Sequence, residues 1–120
     1  MAIPEQKEIG RPLLEYLKDK RLHHIEQISR YLEKHFKLTE AERKQEKSSG
    51  REPLFHNRIR WANFYLKKAG LVESVRGSGR TKITELGLEL LEEEPQTIDN
   101  KFLMRYPAFV DYRNSVSKKK

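Results

Sequence analysis

The sequence contains no cysteine. Disulfide scaffolds, thiolate metal sites and cysteine nucleophiles are therefore excluded. No apolar run approaches the roughly 20 residues needed to span a membrane. Residues 1–10 lack the apolar stretch of a secretory signal, so the expected setting is the cytoplasm. No GxxxxGK[ST] run is present, which excludes a Walker-type phosphate loop. Apolar residues make up only 36% of the 120 positions, a low share that still repeats with clear periodicity. A small, efficient core is expected. At this length the chain reads as a single domain over residues 1–117, followed by a basic tail, Lys118 to Lys120.

Charge is abundant and uneven. The formal net charge is +7. Residues 1–42 balance to zero, residues 43–82 carry eleven basic and three acidic side chains, and residues 83–117 carry an excess of four acids. A positive block bounded by neutral and acidic segments implies a surface that faces a polyanion.

The apolar pattern predicts a mainly helical chain with one β-hairpin. Ile9, Leu13, Leu14 and Leu17 mark a first helix over 9–18, with Pro12 expected in its first turn. Ile25, Ile28, Leu32 and Phe36 mark a second over 24–36. Thr39 and Glu42 form a capping-box pattern for a short third helix, and 43–53 reads as a polar loop closed by Pro53. Phe55, Ile59, Ala62, Leu66 and Ala69 then recur at intervals of four and three residues, the stripe of a helix over 54–69. Gly70 stands at its C′ position. Residues 71–75 and 81–84 read as two strands joined by Arg76, Gly77, Ser78, Gly79 and Arg80. A leucine-rich helix over 85–93 follows, stopped by Pro95. The aromatic segment 98–112 is expected to pack back on the domain. Helices followed by a helix that runs directly into a glycine-tipped basic hairpin make a winged helix-turn-helix. In that arrangement the helix before the hairpin enters the DNA major groove.

At about 100° per residue, the face opposite the stripe carries His56, Asn57, Arg60, Asn63, Phe64 and Lys67. These types suit groove reading: arginine pairs with guanine, asparagine with adenine, and lysine or histidine reaches base edges or phosphates. No Asp or Glu occurs between Pro53 and Val72. Trp61 is assigned to the core or to helix packing. Ser48, Ser49 and Arg51 precede the helix and are candidates for phosphate contact at its N-terminus. Arg76, Ser78, Arg80 and Lys82 supply the corresponding contacts from the hairpin. The expected partner is double-stranded DNA. The alternative is a protein-interaction or homodimerising winged helix.

Catalytic patterns are weak. His23 and His24 are adjacent, expected on different faces of a helix, and make a poor metal pair. Asp19, Glu42 and Lys44 mimic a nuclease D…ExK pattern without its paired strands. No metal and no cofactor is expected.

The same residues carry a family resemblance. Asn57-Arg58, Trp61-Ala62 and Ala69-Gly70-Leu71 are its most specific part. Met1 to Pro4, Leu38-Thr39-Glu40, Glu42-Arg43, Ser49-Gly50, Phe55, Leu66-Lys67, Ile83-Thr84 and Gly87 extend it, as do Ile98-Asp99, Phe102-Leu103, Pro107 and Phe109. The chain resembles the N-terminal domain of Mrr-like restriction system proteins. The resemblance implies a DNA-binding winged helix, normally followed by a separate nuclease domain, and the best-known members of the family cut DNA bearing methylated bases. A chain that stops at Lys120 is expected to be the binding module alone, targeting DNA for a fused or associated nuclease domain.

Overall fold

A computed structural model of the chain describes residues 3–46, 50 and 52–118, with only the backbone of residues 117 and 118. The first helix, α1, spans Gln6–Tyr16 and continues into a 3-10 turn, Leu17–Asp19. Ile9, Leu13, Leu14 and Leu17 are all fully buried, and α1 packs on the helices that follow. Strand β1 is His23–His24, α2 is Ile25–His35 and α3 is Glu40–Lys44. Helix α4, Leu54–Lys68, turns into β2, Val72–Val75, and β3, Arg80–Ile83. Helix α5 is Glu85–Glu92, α6 is Asn100–Leu103 and α7 is Pro107–Lys118. The sheet is antiparallel in the order β1-β3-β2. Mostly helical, with a small three-stranded sheet whose hairpin follows α4, this is a winged-helix architecture. Among the described residues no helix is long and apolar enough to cross a membrane.

Most predicted elements form where periodicity placed them. Phe55, Ile59, Ala62, Leu66 and Ala69 are buried, and Gly70, at φ +86°, ends α4. The Thr39–Glu42 capping box is present. The aromatic C-terminal segment packs back as α6 and α7, burying Leu103, Tyr106 and Phe109.

Two expectations are corrected. Pro12 lies in the interior of α1, not in its first turn. The helix starts earlier because Glu5 and Glu8 form a reciprocal cap, which draws in residues outside the apolar stripe. His23 and His24 do not lie on a helix. They form an edge strand whose Cα partners are Thr81 and Arg80, so the sheet has a third strand that a two-residue segment gives no periodicity to reveal. Asp19 supports this turn. It accepts hydrogen bonds from the Arg21 backbone N–H at 2.8 Å and from His23 Nε2, and the Arg21 N–H chiefly holds its carboxyl below the usual range.

The path from α4 through the hairpin into α5 closes on itself. Thr84 Oγ1 donates to the Gly70 carbonyl at 2.6 Å, and Thr84 N donates to the Leu71 carbonyl at 3.0 Å. Gly87 N donates to Thr84 Oγ1 at 3.1 Å, capping α5. Gly87 permits this junction: a Cβ there would stand 2.3 Å from the Leu71 carbonyl oxygen and 2.7 Å from Ile83 Cγ1. Backbone cannot yield to that contact at low cost. Gly87→Ala is expected to cost about 2–3 kcal/mol and to lower the thermal midpoint by about 10 °C. A calorimetric scan that finds no loss would mean that the junction relaxes freely.

Candidate nucleic-acid interface

Helix α4 and the hairpin enclose a cleft of about 560 Å³. From α4 it is lined by Asn57, Arg60, Trp61, Asn63, Phe64 and Lys67; from the hairpin, by Ser74, Val75, Arg76, Gly77, Gly79, Arg80 and Thr81. Ile25 and Glu52 complete the wall. Among the described residues no carboxylate pairs with Lys67, Arg76 or Arg80, and all three are exposed. Arg60 is held by Glu52: its Nη1 donates to both carboxylate oxygens, at 3.1 and 3.0 Å. Asn57 Nδ2 donates to the same carboxylate at 2.8 Å. Asn63 Oδ1 is buried and accepts no hydrogen bond within the described residues.

The hairpin is anchored against α2. Ile25 N donates to the Gly79 carbonyl at 2.9 Å. Gly79 takes φ +71°, and a Cβ on it would lie 2.7 Å from His24 Nε2. His24 in turn caps α2, its Nδ1 accepting from Glu26 N at 3.1 Å. A side chain at 79 would therefore have to displace either the His24 ring that caps α2 or the tip itself.

Of the residues selected from sequence, Asn57, Arg60, Asn63, Phe64, Lys67, Arg76 and Arg80 meet in this cleft. Three others are placed elsewhere. His56 turns to α2, with its Nδ1 3.1 Å from Ser29 Oγ. Ser78 stabilises the turn, donating to the Val75 carbonyl at 2.8 Å and accepting from Arg80 N at 3.1 Å. Lys82 pairs with Glu73 at 3.2 Å, its cross-strand neighbour, outside the cleft. Ser48, Ser49 and Arg51 lie outside the described residues.

Both aromatic residues line the cleft, but their exposure differs from the expectation. Trp61, assigned to the core or to helix packing, is 45% exposed. Phe64, placed on the solvent face, is half-buried between the Trp61, Tyr65 and Tyr112 rings, at centroid distances of 5.5–5.6 Å. The cause is α7, which covers one flank of α4 and which no helical projection of α4 alone could supply. Trp61 projects about 40° from Asn57 at about 100° per residue, so its place on the reading face was open to view. Arg58, on the flank of the α4 stripe, has a structural role. It donates to the Ile3 and Pro4 carbonyls at 3.0 and 2.9 Å and fastens the N-terminal segment to α4. Among the described residues no group of three or more His, Asp or Glu side chains could hold a metal ion.

An exposed indole among unpaired cations makes a direct electrostatic probe, since Trp61 is the only tryptophan. Iodide is expected to quench its fluorescence at least about threefold more efficiently than caesium at low ionic strength, because anions concentrate in the cleft. The difference is expected to collapse near ~0.5 M salt. Equal quenching constants at low salt would mean that the cleft is not electropositive.

Comparison with known families gives one finding. The model for the Mrr N-terminal domain matches residues 7–93, from α1 through the end of α5. No curated protein and no solved structure matches the chain.

Proposed function

The chain belongs to the Mrr N-terminal domain family, and from that membership we propose that it is a non-catalytic, cytoplasmic module of a restriction system that binds double-stranded DNA. The observation that carries this reading is the single cleft in which Arg60, Lys67, Arg76 and Arg80 converge with two asparagines on a winged-helix frame. In this reading α4 enters the major groove. Arg60 and the asparagines address base edges, while Lys67, Arg76 and Arg80 take the backbone phosphates. The bound DNA is delivered to a nuclease domain, fused or associated, as part of defence against phage. Trp61 and Phe64 offer apolar contact to a thymine or methylcytosine methyl group in the same groove.

Fluorescence anisotropy on a mixed-sequence duplex tests this. Micromolar or tighter binding is expected near ~50 mM salt, with a log–log salt slope of about −4 to −5 for about five phosphate contacts. Lys67→Ala and Arg80→Ala are each expected to weaken binding and to make the slope shallower by about 0.9. Lys82→Ala, outside the cleft, should change neither. A cytosine-methylated duplex that binds more tightly would add modified-base reading. Absence of binding at low salt, together with a stable dimer in size-exclusion chromatography, would replace the reading with protein docking.

A further inference from the structure

Among the described residues, Glu52 is the one carboxylate lining the cleft. Its placement is costly for a surface that faces a polyanion, because each backbone phosphate brought close meets a fixed negative charge. The carboxylate is nevertheless well held. Its side chain is only 21% exposed, against 56% for Arg60. It accepts from Asn57 Nδ2 and from Arg60 Nη1 through the contacts given above. Asn57 and Arg60 stand three residues apart on α4, on one face, so a single carboxylate just ahead of the helix reaches both.

The chemistry of the pair decides what this does. A guanidinium has five N–H donors. Those on Nη1 are directed to Glu52, and the three on Nη2 and Nε are the ones Arg60 can present elsewhere. A phosphate approaching them meets the nearby carboxylate charge, whereas a neutral base edge does not. Arg60 is also constrained to one orientation, so less side-chain entropy is lost when it meets a base.

We propose that Glu52 is a specificity-determining residue: it presets Arg60 and Asn57 for base edges and penalises their capture by phosphate. The inference rests on the DNA-binding reading above. Two properties of Glu52 are separable, its charge and its reach. Glu52→Gln removes the charge and keeps the length. Glu52→Asp keeps the charge and, one methylene shorter, loses the simultaneous grip.

The experiment compares two probes: a random-sequence duplex, and the duplex that the wild-type chain enriches from a randomised library. For Glu52→Gln, affinity for the random duplex is expected to rise about three- to tenfold. Its salt slope is expected to steepen by about 0.9 as Arg60 gains a phosphate contact. The ratio between enriched and random duplexes is expected to fall about tenfold. For Glu52→Asp, the ratio falls while random-duplex affinity stays near wild type. Circular dichroism confirms that each variant is folded, and Glu52→Asp carries the test if Glu52→Gln is not. An unchanged ratio in the folded variants, whether both affinities rise, fall or stay, overturns the proposal. A wild-type chain that binds neither duplex removes the DNA-binding reading itself, and a wild-type chain that binds all sequences equally removes only the role of Glu52.

Discussion

The geometry of the cleft depends on how α4 is joined to the hairpin and the hairpin to α5. Three hydrogen bonds among Gly70, Leu71, Thr84 and Gly87 close that junction, and a missing Cβ at Gly87 lets the chain segments touch. Four residues of strand on either side cannot hold a direction alone. The junction fixes where β2 leaves α4, and so where Arg76 and Arg80 stand relative to Arg60 and Lys67. At the far end, the Ile25–Gly79 hydrogen bond and the His24 ring fix the tip. The hairpin is thus held at both ends, and its cations are presented on a fixed frame rather than on a free loop.

Different parts of the chain carry the fold and the charge. The helix α1 and the 3-10 turn that continues it supply four fully buried side chains and none of the cleft. The helix α4 does both: one face holds the core and the other holds the cleft, so its position follows chiefly from hydrophobic burial. Helix α7 supports it from behind, through Phe109 and Tyr112 against Tyr65, with the Lys68 ammonium 5.3 Å from both the Phe64 and Tyr112 rings. The side chain of Phe64 is therefore positioned by a helix that follows the family-matched segment of residues 7–93.

Much of this was legible in the sequence because periodicity reports burial. The apolar stripe of α4, the capping box of α3 and the glycine-tipped hairpin each obey a local rule, and each was found. What escaped was set by distant partners. His23–His24 becomes a strand only because β3 offers it an edge. Phe64 becomes half-buried because α7 arrives from forty residues later in the chain and sets Tyr112 against it. His56 lies close to Arg60 on the helical projection, yet Ser29 of α2 draws it to the other side. Glu52 escaped for a different reason: it stands just before a segment notable for having no acid, and its reach into that segment is a matter of side-chain length and rotamer. Helical projection identified a face; neighbouring helices decided which part of it is open.

The cations of the cleft also bear on how long each copy of the protein lasts. Lys67, Arg76 and Arg80 line one cleft on a core that gains nothing from their proximity, and like charges gathered on one face disfavour the folded state. On the proposed reading, a duplex seated between them would relieve that repulsion. Binding to the folded chain alone would add stability, about 2.7 kcal/mol with ligand at a hundred times its dissociation constant. Occupied copies would then unfold less often than empty ones, and since degradation draws on the transiently unfolded fraction, they would outlast them.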